Sequence, residues 1–468
     1  MIGPRRALAF ISVGALMIGC VPGSGQASSP PSTGPSALAS AASSGSTGAS
    51  GSPAAAPSFD TSTPITITEW DTENEAGPSA EIDALNQQFH DKYPNVTIKR
   101  TSKGFDDYVA TIKLAASAPD APDIYQGNEG YSVDAALVKA GLIAPLDDYS
   151  KAYGWDTRFG SPQTLDVLRW STDGTKWTQG PLWGVAQKAE VLGVFYNKAT
   201  MQKLGLTVPT TFDEFVQTLD KAKAGNVAPI VVGGLDGWPL GHIFMMLQAQ
   251  NEDPKAIANW TFAVPGSTFD DAGTQKAAQI MADWGQKGYF ESGFNGVTQS
   301  NAAGRFAKGE GLYFLTGPWE NGTFAPLGTN VGWFALPGAS AGAATPTTGS
   351  LSIPYHISSK SKHPDVAAAW IDFITDPQAA DIVAGKGDLP AAPLANPGAV
   401  DPNSSLAAII QGFHDKSSAG LLTPYLDWAS ETMGDTMFGG LQKLSGGKES
   451  ATAFTSEVQK DWSKAHGG

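Results

Sequence analysis

Residues 64–125 read PITITEWDTENEAGPSAEIDALNQQFHDKYPNVTIKRTSKGFDDYVATIKLAASAPDAPDIY. Ile65 and Ile67 alternate with threonines, the period of a half-buried strand that runs into a turn at Glu69-Trp70-Asp71. Ser79 is placed to cap a helix whose apolar residues Ile82, Leu85, Phe89 and Tyr93 recur at spacings of three and four. Pro94 ends that helix, and Val96-Thr97-Ile98 reads as the next strand. A helix over Phe105–Ser117 follows, then Pro119 and Pro122, then a short strand at Asp123-Ile124-Tyr125. The order β-α-β-α-β predicts a mostly parallel sheet with helices on both faces.

Toward the C-terminus the alternation resumes near Val191, where Val191 to Tyr196 is strand-like. Thr211-Phe212-Asp213-Glu214 has the spacing of a capping box. Pro229–Val232 reads as a buried strand ending at Gly233-Gly234, and Trp238–Gln250, Thr274–Gly288 and Gln299–Lys308 as helices. Gly311–Leu315 is a strand that stops at Gly317-Pro318-Trp319. Residues 338–349 read as a loop, Ser350–Ile357 as a strand and Asp365–Thr375 as a helix. The C-terminal third is helical and closes with Phe454, Val458 and Trp462 at spacings of four. Two α/β lobes is the simplest organisation.

The N-terminal side differs in kind. Arg5-Arg6 precedes a short apolar stretch, Ala7–Ile18, that ends in Leu16-Met17-Ile18-Gly19-Cys20. A charged start, an apolar run too short to span a bilayer and a small residue before the cut describe a secretory signal over residues 1–19. A cysteine directly after the cut resembles the bacterial lipobox, which makes Cys20 the expected point of lipid attachment. Between residues 21 and 58 only Val21, Gln26 and Leu38 are not Ala, Ser, Gly, Pro or Thr. Such a segment buries too little apolar surface to offset the entropy of ordering it, so residues 20–58 are expected to be a disordered tether reaching roughly 35 Å. Together these features place the protein outside the cytoplasm, on the outer face of the membrane.

The 468 residues suggest two or three domains at roughly 150 residues each. With 30 Lys and Arg against 45 Asp and Glu, the chain lacks the cationic field that nucleic-acid binding needs. Its single cysteine excludes an intramolecular disulfide framework. The six histidines are scattered and never fall at i, i+4, so no metal and no cofactor is expected. Gly338-Ala339-Ser340-Ala341-Gly342 matches a nucleophile elbow only on paper, because Pro337 precedes it and Pro346 interrupts any helix after it.

The informative pattern lies at the ends of the strands. Trp70 with Asp71, Glu73 and Glu75, Asn128 with Glu129, Asp236 with Trp238, and Trp319 with Glu320 repeat an aromatic-plus-polar composition at successive strand ends. In open α/β sheets, ligands bind outside the carboxyl ends of strands. Exposed rings beside carboxylates and amides suit a carbohydrate, whose C–H faces stack while its hydroxyls need donors and acceptors.

Four blocks carry a family resemblance: Ala121–Ile124 with Gly141–Asp147, Trp183–Ala186 with Val194–Lys198, Phe306–Gly311 with Gly317–Trp319, and Lys362–Trp370. Their order and spacing resemble the extracellular solute-binding proteins of bacterial ABC transporters, in the sugar-binding branch typified by maltose-binding protein. The resemblance implies an α/β, two-lobe periplasmic-binding-protein fold of type II, with discontinuous lobes joined by hinge segments. It implies an N-terminal lobe of residues 59–189 plus 334–383 and a C-terminal lobe of 190–333 plus 384–468. The crossings fall near Ala189–Gly193, Asn330–Phe334 and Asp381–Lys386.

On the same grounds, Trp70, Asn128, Glu129 and Ser350 are expected to line one lobe, Asp236, Trp238, Trp319 and Glu320 the other, with Asp388 beside the third crossing. Trp238 and Trp319 would stack on sugar rings, Asp236, Glu129 and Asp388 would accept from hydroxyls, and Asn128 and Ser350 would donate. The implied function is binding, without catalysis, of a mono- or oligosaccharide and its delivery by a monomer to a membrane permease. Two alternatives stay open on sequence alone: a non-sugar solute on the same fold, and a secreted glycoside-active enzyme.

Overall fold

Strand β1 (Ile65–Asp71) buries Ile65, Ile67, Glu69 and Asp71 on one face, so its buried face turns from apolar to acidic at the C-terminal end. The counter-charge comes from β2 (Val96–Ser102), which pairs in parallel with β1 and sets Arg100 opposite Glu69. Arg100 holds Asp71 with both Nε and Nη2, at 2.5 and 3.0 Å. The intervening helix spans Ala76–Lys92 and buries Ile82, Leu85 and Phe89 as the spacing requires. It starts three residues before the expected cap, because Pro78 fits the first turn, where backbone N–H groups have no partner in the helix. Ser79 is therefore inside the helix, and its hydroxyl accepts from Arg100 Nη1 at 2.9 Å.

The computed structural model describes residues 58–159 and 162–467, which belong to one compact unit. The signal segment, Cys20 and nearly all of the tether lie outside the described residues. The remaining strands, in chain order, are β3 (Ile124–Gln126), β4 (Arg169–Trp170), β5 (Trp177–Leu182), β6 (Lys188–Val191), β7 (Gly193–Asn197), β8 (Tyr313–Thr316), β9 (Val331–Phe334), β10 (Thr347–Ser352), β11 (Tyr355–Ile357) and β12 (Leu422–Thr423).

Two of the sheets are built from distant parts of the chain. The first has the order β11-β3-β1-β2; β1, β2 and β3 are parallel, and β11 returns antiparallel to β3. The second, β8-β7-β9, is antiparallel throughout. Around it pack the helices Phe212–Ala224, Trp238–Ala249 and Ala272–Gln286. The predicted capping box opens the first of these, with Thr211 Oγ1 accepting from Glu214 N and the Glu214 carboxylate accepting from Thr211 N.

Between the two sheets lies an antiparallel ladder in which Ser350 pairs with Glu190 and Ser352 with Lys188, joining β10 to β6. After β6 the chain passes through Leu192 into β7, and after β10 it passes through Ile353 and Pro354 into β11. These two strands therefore link the sheets. The link expected at Asn330–Phe334 falls at β10 instead, because Val331–Phe334 pair with β7 inside the second sheet. The link expected at Asp381–Lys386 falls slightly later: Pro377–Gly385 is helical, and the extended chain after Asp388 bonds to β6, with Ala189 N donating to Leu389 O at 3.0 Å.

Three other expectations change. Val191–Tyr196 is broken at Leu192, and Pro229–Val232 is buried but joins its neighbours only through isolated bridges at Ile230. Ser350–Ile357 is broken at Ile353, whose φ of 54° lies in the left-handed region. A β-branched residue there costs about 1–3 kcal/mol. Among the described residues no helix is long and apolar enough to cross a membrane.

Candidate ligand-binding site

The carboxyl ends of β1 and β3, the β6–β10 ladder and the start of helix Trp238–Ala249 converge on a cavity of about 540 Å³. That is the size range of small-molecule sites. One wall carries Thr72 to Glu75, Gly104 to Asp107, Gln126 and Asn128. The floor carries Gln187 to Glu190, Ile353 and Asp388. The facing wall carries Asp236, Trp238, His242, Thr298 to Ser300, Trp319, Glu320, Tyr425, Asp427, Trp428 and Phe438.

The facing wall is aromatic because two glycine turns let rings lie against the backbone. Gly237, at φ 78°, starts the helix that presents Trp238 and His242 on successive turns. At Gly317 an added Cβ would lie 1.9 Å from Trp319 Cζ3, so only glycine leaves room for the indole where it lies. Trp238 and Trp319 meet edge to face at 6.3 Å, and His242 sits 5.1 and 5.3 Å from their centroids. Tyr425 is 5.7 Å beyond His242, and Trp428 is 4.9 Å beyond Tyr425. Burial drives the pKa of His242 down to about 3, which makes it a neutral ring at pH 7.

The floor is ionic. Lys188 Nζ lies 2.8 Å from Glu73, 3.1 Å from Asp388 and 3.5 Å from Glu81. Burial alone would discharge this ammonium, but the three carboxyl groups outweigh it and hold its pKa well above the ordinary value. One positive charge does not serve three acids equally. Burial pushes Glu81 up to about 8, while Glu73 resists its own burial through Lys188 and stays below its usual value. Gln126 fixes Glu73 from the other side, donating Nε2 to Glu73 Oε1 at 3.1 Å and accepting from Thr72 N and Oγ1.

On the facing wall Asp236 Oδ2 accepts from Gln299 N at 2.7 Å, and Gln299 Nε2 donates to Glu320 Oε1 at 3.1 Å. Burial raises Glu320 to about 7 and Asp427 to about 6. Several buried polar atoms of the lining have no hydrogen-bond partner among the described residues: both amide atoms of Gln187, Gln299 Oε1 and His242 Nδ1. Buried polar groups are ordinarily satisfied, so these atoms form a set of donors and acceptors for a ligand.

Of the residues nominated from sequence, the cavity brings together Asn128, Asp236, Trp238, Trp319, Glu320 and Asp388. Trp70, Glu129 and Ser350 are not among its lining. Trp70 lies on the face of β1 opposite to Asp71, its ring under Lys103 Nζ at 4.4 Å. Glu129 is wholly buried, and its Oε2 accepts from the strained Ile353 N at 3.1 Å, which supports the turn out of β10. Ser350 is held in the ladder opposite Glu190.

Sequence reading missed Asp106, Gln187, Lys188, His242, Tyr425 and Trp428. For Tyr425, Asp427 and Trp428 the signal was present, since they repeat the aromatic-plus-carboxylate composition just after β12. Gln187 and Lys188 have no such signal, because a linking strand looks like any other in sequence. Among the described residues no group of three or more His, Cys, Asp or Glu side chains is placed to hold a metal ion.

Comparison with known proteins adds to this geometry. The multiple sugar-binding protein of Streptococcus mutans serotype c is 25% identical over 309 residues, 64% of this chain and 69% of its own length. A probable sugar-binding periplasmic protein of Mesorhizobium japonicum is 28% identical over 47% of this chain and 50% of its own. The solved structure of a chitin oligosaccharide binding protein superposes with a TM-score of 0.75, covering 86% of this chain and 99% of that one at 21% identity. This likeness establishes the fold as the two-lobe periplasmic-binding type, with discontinuous α/β lobes joined by hinge segments. The bacterial extracellular solute-binding protein family matches residues 72–381, a stretch that holds the second sheet, all of the first but β1, and most of the cavity wall, and the chain belongs to that exported family.

Proposed function

We propose that this protein captures a mono- or oligosaccharide outside the cytoplasmic membrane and delivers it to the permease of an ABC importer. The observation that carries the reading is the row of rings from Trp238 and Trp319 through His242 and Tyr425 to Trp428, in one cavity with both amide atoms of Gln187 and Oε1 of Gln299, which have no hydrogen-bond partner among the described residues. Rings stack on C–H faces, and Gln187, Gln299 and Asn128 offer both donors and acceptors to hydroxyls. Asp236 and Asp388 accept in charge-assisted bonds, which are stronger than neutral ones. The sugar-binding names of the two relatives point the same way.

Delivery follows from contacts on both sides of the ladder. In this reading the lobes divide at β6 and β10, and sugar prefers the closed arrangement because only there do both walls touch it. That difference in affinity shifts the population toward closure, and the closed form docks on the permease. The protein acts as a monomer, without turnover, held to the outer face of the membrane by a lipidated Cys20 and the tether of residues 20–58.

A thermal-shift screen of the ligand-free protein against a carbohydrate panel, followed by calorimetry on the hits, tests the proposal. A sugar at 100 times its dissociation constant adds about 2.7 kcal/mol, a readily visible shift. Failure of every sugar to shift the melting temperature overturns the carbohydrate assignment; product accumulating on incubation with oligosaccharides overturns the non-enzymatic one.

A further inference from the structure

Among the described residues, nine carboxyl side chains line the cavity against one cationic side chain, Lys188. Lys188 is already engaged by Glu73 and Asp388 of that lining and by Glu81 behind it. The cleft therefore offers an anionic group no uncommitted positive charge, and it offers a cation several acids. Two of these stand on opposite walls. Asp106 is exposed at the start of helix Phe105–Ser117, and Asp236 follows the buried Pro229–Val232 segment.

The walls approach closely enough that, after burial, Asp236 is the main cause raising the pKa of Asp106. A third acceptor stands beside Asp236 in the same lining: Gln299, whose backbone N–H donates to Asp236 Oδ2 at 2.7 Å, is 4% exposed and leaves its Oε1 without a partner among the described residues. A protonated amine has three donors and no acceptor, and an all-acceptor site complements it.

We propose that the cleft selects a carbohydrate carrying a protonated amine over its neutral counterpart and rejects acidic sugars, with Asp106, Asp236 and Gln299 Oε1 holding the ammonium. This rests on the carbohydrate reading above. It also gives closure a charge component: two like-charged walls repel when empty, and a bound cation removes the repulsion.

Matched pairs separate the two claims. Calorimetry is run with the β-1,4 glucosamine disaccharide, its N-acetylated form and cellobiose, with galactosamine against galactose, and with a galacturonic acid dimer. At low salt the amine is expected to bind at least tenfold tighter than its neutral partner, and the acid not measurably. The ratio should shrink at roughly 300 mM salt, where the screening length is below about 8 Å. Asp106→Asn, an isosteric change at an exposed position, should collapse the amine-to-neutral ratio toward one. Neutral sugars binding as tightly as their amines, or a ratio unchanged in Asp106→Asn, overturns this proposal and leaves the carbohydrate reading intact. Binding of none of them overturns both.

Discussion

Gly317→Ala tests the aromatic wall without removing a ring. The three atoms nearest the added methyl all belong to Trp319: Cζ3 at 1.9 Å, Cη2 at 2.3 Å and Cε3 at 2.6 Å. Carbon atoms pack at about 3.5–4.0 Å, so the indole must retreat by roughly 1.5–2 Å. Trp319 is half-buried and borders the cavity, so it has space to swing into, and its movement removes the surface on which a ligand would stack. If a sugar face covers about 60 Å² of that indole, the loss at about 25 cal/mol per Å² is ~1.5 kcal/mol, or roughly tenfold in dissociation constant.

The assay is calorimetry with the best-binding sugar on four proteins: the parent, Gly317→Ala, Trp319→Ala and the double variant. If the methyl acts through the ring it displaces, the double variant should bind no worse than Trp319→Ala alone. Ligand-free melting temperature should fall by less than ~4 °C, since the ring moves toward open space rather than into packed neighbours. Unchanged affinity in Gly317→Ala, or additive losses in the double variant, would refute the argument that this indole is held in place by its glycine and bears the ligand.

Two further outcomes concern the carboxyl groups. Glu320 has a folded pKa of about 7 because of burial, above its unfolded value, so native stability should fall as pH rises from about 4.5 to 7 and then level off. Glu320→Gln keeps an acceptor for Gln299 and should raise the melting temperature at pH 8 but not at pH 5; an equal gain at both pH values excludes the titration. Lys188→Met leaves Glu73 and Asp388 without their counter-charge and should cost about 3–5 kcal/mol by denaturant titration at pH 7.5. Glu73 then shifts from below to above its usual pKa, so the deficit should shrink at pH 5, where the unpaired carboxyl takes up a proton; a pH-independent deficit would mean that Lys188 acts through its packing.

How much of the fold was legible depends on how local its cause is. The helix Phe105–Ser117 and the capping box at Thr211 were found in place because a periodicity or a cap is written within a dozen residues. The breaks at Leu192 and Ile353 were not, because each interrupts a stretch that reads as one strand. At Ile353, where φ is positive, the backbone N–H is held by a buried carboxylate from residue 129, more than two hundred positions away. The strands that link the sheets are hidden for the same reason: β10 pairs with β6, and no property of residues 347–352 alone announces a partner at 188–191.

The site divides along the same line. Sequence can say that a tryptophan follows a strand, and that sufficed for Trp238 and Trp319, whose glycine-framed turns leave them one way to point. It failed for Trp70 because a period of two fixes which residues share a face but not what either face meets: Glu69 and Asp71 turn inward to Arg100, Trp70 lies under Lys103, and the cavity begins only at Thr72. It failed for Glu129 because a carboxylate after a strand can serve a ligand or a strained neighbour, and the backbone of Ile353 needed it. Asp106 shows the converse. Nothing near it in sequence marks a site, yet it stands across the cavity from an acid one hundred and thirty residues later. A cleft between lobes is made of such pairs, so its chemistry becomes readable only once the ladder of β6 and β10 has set the two walls face to face.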